Sequence, residues 1–164
     1  MKADAERGSR TLDEPERASE LEADMGRIVV GVDGSDPSIK ALHWAVRQAE
    51  LTGDTVEAVN SWEYPATSWA SMMPGLPEDF DPQALALVSL NEALEEALGA
   101  AGAAAVSKIV VIGNPAQSLL DRAKGANLLV VGARGRSALK ATLLGSVSLH
   151  VTQHAPCPVT VVRD

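Results

Sequence analysis

The residues best suited to chemistry lie in one stretch, Leu128 to Ser148, with the sequence LLVVGARGRSALKATLLGSVS. Gly132, Gly135 and Gly145 carry no β-carbon, so a ligand can lie directly against their backbone N–H groups, and Arg134, Arg136 and Lys140 set positive charge between them. The forked donors of arginine suit phosphate oxygens. After Gly145, Ser146 can cap a helix running on through Val147, Ser148, Leu149, His150 and Val151, which ends the loop on free amide donors at the positive end of a helix dipole. This is the composition of a phosphate cradle, and Ser137 is a further hydroxyl within it.

The commoner phosphate signatures are absent. No two glycines stand two apart, which excludes G-x-G-x-x-G, and no Gly-Lys-Ser/Thr occurs, which excludes the Walker loop. There is no G-x-S-x-G elbow, H-E-x-x-H or kinase signature either, and no general base is evident. His43, His150 and His154 read as helix-surface or packing histidines, without a ligand spacing that suggests zinc. Cys157, between Pro156 and Pro158, reads as a buried small residue with no catalytic role.

A second candidate position is Asp33 in Gly31-Val32-Asp33-Gly34-Ser35. Its carboxylate could accept from a ribose or hold a metal that bridges phosphates; its structural alternative is an Asx turn. Gly31 and Gly34 permit close approach of ligand or backbone.

The elements that must position these residues follow from periodicity. Ile28 to Val32, Val56 to Asn60, Ala105 to Ile112, Asn127 to Val131 and Pro158 to Val162 are apolar runs of strand length. Between them, Ile39, Leu42, Val46 and Ala49 fall at helical spacing, with Ser35 or Asp36 as cap and an end near Thr52-Gly53. A second helix is predicted over Gln83 to Ala101, with Leu87, Leu90, Leu94 and Leu98 on one face and Gly99 and Gly102 near its end. A third is predicted from Ala116 to Lys124 after Gly113-Asn114-Pro115. Strands alternating with helices require crossovers, so the expected fold is α/β: a doubly wound, five-stranded, mostly parallel sheet with helices on both faces. Ligands of such sheets sit beyond the strand C-termini. Asp33 and Gly132 both end strands, and so should meet at one edge although about a hundred residues separate them.

At 164 residues the chain reads as one domain over 27–164, preceded by an acidic tail over 1–26. That tail holds eight acids against four bases and few large apolar residues, so disorder is its default. The segment 61–82 carries four of the five aromatic residues and four prolines, which suits a lid, a partner surface or a cover for the sheet edge. A net charge of −8 argues against nucleic acid and acidic membrane surfaces as partners. One cysteine, and no apolar leader or membrane-length run, are the marks of a cytoplasmic protein.

The spacing Gly132-x2-Gly135-x9-Gly145-Ser146 resembles the G-x2-G-x9-G-(S/T) motif of ATP-binding universal stress proteins. The resemblance runs from about Arg27 to Arg163 and takes in Val29-Val30-Gly31-Val32-Asp33-Gly34-Ser35 and His154-Ala155-Pro156-Cys157-Pro158-Val159. It implies the single-domain, adenine nucleotide α-hydrolase-like fold, with ATP or another adenine nucleotide as ligand. The implied site comprises Gly31, Asp33, Gly34, Val59, Gly132, Arg134, Gly135, Arg136, Ser137, Gly145, Ser146, Val147 and Ser148. Val59 matches the position whose backbone pairs with the adenine edge, and Asp33 would meet Mg2+ only through the nucleotide. The resemblance further implies a homodimer through the last strand, Val159, Thr160, Val161 and Val162, and a nucleotide-dependent regulatory role in stress response. A slow ATPase and a partner-binding module with a vestigial nucleotide site are the competing classes.

Overall fold

The computed structural model describes residues 26–62, 81–135 and 143–163. The expectations for the tail, for most of the 61–82 segment and for Arg136, Ser137 and Lys140 lie outside the described residues.

The chain runs β1 (Arg27–Gly31), α1 (Asp36–Thr52), β2 (Thr55–Trp62), α2 (Pro82–Ala104), β3 (Ser107–Ile112), α3 (Pro115–Ala123), β4 (Leu128–Gly132), α4 (Ser146–His154) and β5 (Val159–Val162). The strands form one sheet in the order β3-β2-β1-β4-β5, and every neighbouring pair is parallel. Ile28 lies opposite Val56 on one side and Leu128 on the other. The doubly wound α/β reading of the sequence therefore holds.

Because both faces of the sheet are covered, β1 is apolar throughout rather than alternating. Ile28 and Val30 join one core cluster with Leu42 of α1 and Leu90 and Leu94 of α2. Val29 turns the other way, into a cluster with Leu119 of α3 and Val151 of α4. Helix α2 departs from expectation at both ends. Leu87 stays 44% exposed, so the buried face begins at Leu90, and Gly99 (φ 72, ψ 167) breaks the helix before it continues to Ala104.

Local chemistry sets the helix ends. The Asp81 side chain accepts from the N–H groups of Gln83 and Ala84 and starts α2. Asn114 Oδ1 accepts from Gln117 N at 3.1 Å and starts α3. Asn114→Ala should therefore cost about 1 kcal/mol, lowering Tm by roughly 2–4 °C in a domain of this size, which calorimetry would register. Helix α1 closes at Gly53, whose φ of 77° is left-handed and whose N–H donates to Ala49 O. Ser35 occupies the N-cap of α1 but makes no side-chain cap bond. At α4 the N-cap is Gly145 rather than the expected Ser146, which is the first helical residue; there too no side-chain cap is made.

At the opposite end of the sheet Glu57 of β2 is buried at 5% exposure. Arg122 of α3 binds it with two nitrogens, Nε to Oε1 at 2.7 Å and Nη2 to Oε2, and this contact raises the Arg122 pKa. Arg27 adds Nη1 to Glu57 Oε2 at 3.4 Å, while its Nη2 donates to the carbonyls of Arg122 and Lys124. These bonds tie β1, β2 and the last turn of α3 together.

Candidate functional site

In a sheet of order 3-2-1-4-5, the connections leaving β1 and β4 diverge to opposite faces, and the crevice between their C-terminal ends is the natural ligand position. A cleft of about 870 Å³ opens there. Its walls include Asp33 after β1, Gly132 and Gly135 after β4, and Gly145, Ser146 and Val147 at the start of α4. The two distant segments thus meet at one rim.

Asp33 is held by the turn it helps to form. Its Oδ1 accepts from Ser35 N at 3.0 Å and from the Ser35 hydroxyl, and its N–H donates to Ser38 Oγ at 3.3 Å. Ser38 Oγ in turn donates to Ser35 O at 2.8 Å. The Asx role weighed against ligand binding is therefore present, and it explains why Ser35 is not available to cap α1. Gly34 completes the turn at φ 79°, a conformation that favours glycine.

The glycines of the motif differ in why they carry no side chain. A β-carbon on Gly132 would stand 2.7 Å from the carbonyl carbon and oxygen of Pro37, so this glycine lets α1 pack against the end of β4. On Gly31 it would meet Leu119 at 3.2 Å, again a packing constraint. On Gly135 it would come within 2.7 Å of Asp33 Oδ2, which shows how closely the loop passes the carboxylate. Gly145 is unlike these three. Its backbone is extended (φ −74, ψ 166), and a β-carbon there would find its nearest atoms at 3.5 to 3.7 Å, in the backbone of Ala133, Arg134 and Gly135. Among the described residues, nothing in the packing demands a glycine at 145.

The loop is closed from within. Gly145 N donates to Ala133 O at 2.8 Å, and Ser148 Oγ lies 2.8 Å from the same carbonyl and 3.0 Å from Gly145 O. Ser148 is only 2% exposed, so its hydroxyl holds the loop and does not reach outward. The first helical bond of α4 runs from Leu149 N to Gly145 O. The N–H groups of Ser146, Val147 and Ser148 precede it and have no acceptor within the helix, and all three residues line the cleft. Arg134 lines it as well, half-buried.

Val59 requires a correction. It lines the cleft, but its carbonyl accepts from Val32 N at 2.9 Å, so that group is spent inside the sheet and is not open to a base. In a parallel ladder successive residues address opposite neighbours. Trp62 O accepts from Gly113 N, on the β3 side, so Ser61 faces the β1 side as Val59 does. There β1 has already turned away: Val32 O accepts from Asn60 Nδ2 at 2.8 Å. Ser61 lines the cleft, and its Oγ is buried without a hydrogen-bond partner among the described residues. Ser61, two residues beyond Val59, is thus the β2 residue that faces the cleft where β1 has ended.

Asn114, Leu144 and His150 also line the cleft and were not singled out as site residues in the sequence. His150 and His154 stand one helical turn apart with their rings stacked, centroids 4.4 Å apart and planes at 26°, a spacing overlooked in reading the histidines singly. Among the described residues no group of three or more His, Cys, Asp or Glu could hold a metal. Cys157 is half-buried, and burial pushes its thiol pKa up, which disfavours the thiolate. Among the described residues no helix is long and apolar enough to cross a membrane.

Fold and cleft together define a doubly wound α/β domain with a crevice at the switch point of its sheet, walled by a glycine loop and the start of a helix. The sequence model of the universal stress protein family matches residues 25–163, and the chain belongs to that family. It is 37% identical over 152 residues to universal stress protein YxiE of Bacillus subtilis, covering 85% of this chain and 99% of the relative. It is also 37% identical over 138 residues to universal stress protein Rv2005c of Mycobacterium tuberculosis, covering 84% of this chain but 45% of the relative, so the chain spans about half of that longer protein. Among solved structures, UspA from Lactobacillus plantarum superposes with a TM-score of 0.65 at 24% identity, over 84% of this chain and 97% of that one. A universal stress protein in complex with cAMP superposes with a TM-score of 0.58 at 28% identity, over 85% of this chain and 97% of that one.

Proposed function

We propose that this protein binds an adenine nucleotide, with ATP its ligand, and that binding selects one conformation or assembly state in a stress response. The observation that carries this reading is the start of α4: the N–H groups of Ser146, Val147 and Ser148, without acceptors in the helix, belong to residues that line a cleft beside a glycine that no described neighbour requires. Such a terminus favours an anion through both its donors and its dipole. The structural relative bound to cAMP supports an adenine ligand. In this reading Ser146, Val147, Gly135 and Arg134 face the phosphates and Ser61 supplies the backbone edge for the base. Gly132, Gly31, Gly34 and Ser148 shape the site, and Arg136 and Ser137 are further phosphate ligands.

Asp33 fits a ribose or a nucleotide-borne Mg2+ only in part, since Oδ1 already accepts two bonds from Ser35. A magnesium ion would be held mainly by phosphate oxygens and water, with the Asp33 carboxylate as its one acidic neighbour beside Gly135. Asp33 and His150 line the cleft, but Asp33 Oδ1 is committed to Ser35, and regulation rather than turnover is the proposed role. The proposed homodimer forms through β5, which lies at the edge of the sheet with all four residues half-buried.

The protein purified without added nucleotide, then heated and run on an ion-exchange column, should release adenine nucleotide. Added ATP at about 100 times its dissociation constant should stabilise the fold by roughly 2.7 kcal/mol. Steady conversion to ADP with Mg2+ would favour an ATPase; no nucleotide and no thermal shift would sink the proposal.

A further inference from the structure

Outside the phosphate end of α4, the same helix carries two imidazoles at positions i and i+4, which places them on one face. Both are exposed, and their rings stack with centroids 4.4 Å apart. His154 Nδ1 lies 2.9 Å from His150 O. A carbonyl can only accept, so Nδ1 is the donor in this contact and Nε2 is the nitrogen left to face an ion, as in metal-binding histidines whose other nitrogen donates to a backbone carbonyl. His154 also occupies the last turn of α4, where the negative end of the dipole favours a cation.

We propose that His150 and His154 form a two-imidazole site for a divalent transition metal of the Zn2+, Ni2+ and Cu2+ class, with solvent completing the coordination. Imidazole suits these ions, whereas Mg2+ and Ca2+ require oxygen ligands. Metal–nitrogen bonds of about 2.0 Å let one ion span two nitrogens up to roughly 4 Å apart; the rings are stacked with centroids 4.4 Å apart, so the exposed His150 ring has to turn out of the stack to aim its lone pair at an ion on His154 Nε2. Helices that present histidines four apart bind zinc through the same geometry. His150 also lines the nucleotide cleft, so an ion held here brings positive charge to its wall.

The test uses the full chain stripped of nucleotide, so that its result is independent of the nucleotide reading. Calorimetric titration with Zn2+ at pH 7.5 should show one ion per chain. His150→Ala and His154→Ala, each checked for an unchanged circular dichroism spectrum, should each weaken it at least tenfold, roughly the scale on which metal sites respond to loss of a supporting group. Sub-stoichiometric Cu2+ should broaden the NMR signals of His150 and His154 and spare His43. Absence of stoichiometric binding, or binding that survives in the double variant, would overturn the site.

Discussion

Arg122→Ala is expected to destabilise the fold by about 2–3 kcal/mol, visible as a fall of roughly 4–12 °C in Tm and an earlier urea midpoint. The Glu57 carboxylate is buried and takes its two shortest contacts from Arg122, so among the described residues Arg27 at 3.4 Å is what remains once that side chain is gone. Leaving a buried charge without its partner costs 3–5 kcal/mol when both groups are enclosed. Here the Arg122 side chain is 35% exposed, so water can enter and the expected loss is smaller. The companion experiment replaces both residues, Glu57→Met with Arg122→Met, and should recover most of the stability because neither charge is then stranded. If Arg122→Ala proves neutral, the cluster is not a structural tie. The cleft lies at the other end of the sheet, so nucleotide binding should respond to this variant only through stability.

This cluster also shows what sequence reading could reach. Glu57 falls within a run read simply as a strand, and nothing in its neighbourhood signals that a carboxylate buried there will meet an arginine 65 residues later. Periodicity reports which face a residue takes, not which residue arrives opposite. The strands, their parallel order and the meeting of Asp33 with the glycine loop were legible because they depend on alternation of elements and on strand direction alone. The engagement of the Val59 carbonyl was not legible, because it depends on where β1 stops pairing, and the last rung, from Val32 N, lies beyond the end of that strand. Ser146 was expected to cap α4 because its hydroxyl fits that role, yet the extended backbone places Gly145 at the cap. The N-cap residue therefore offers the terminal donors no side-chain acceptor, which a serine there would have supplied. Gly132 illustrates the converse: its place in a spaced motif invites a ligand explanation, whereas the backbone of Pro37 already excludes a side chain there.

Gly145→Val should abolish the thermal shift produced by ATP while the fold survives. Valine is at ease with an extended backbone of φ −74 and ψ 166, and its β-carbon would have ordinary contacts of 3.5 to 3.7 Å. Replacing glycine at an N-cap by an apolar residue costs less than about 1 kcal/mol. The β-carbon would stand 3.5 to 3.7 Å from the backbone of 133–135, and the added methyl groups are expected to crowd the cleft beside the amides of Ser146 to Ser148. Hydrogen bonds to a charged group contribute about 1.5–3 kcal/mol each, and losing two of them alone would weaken ATP binding by at least about a hundredfold. Gly135→Val is the poorer probe, because its β-carbon strikes Asp33 Oδ2 at 2.7 Å and should disturb the Asp33–Ser35 turn along with the ligand site. Thermal denaturation of both variants with and without ATP separates the two effects. Gly145→Val should melt near the parent temperature and ignore ATP, whereas Gly135→Val should melt lower in either condition. An undiminished ATP shift in Gly145→Val would place the phosphates elsewhere.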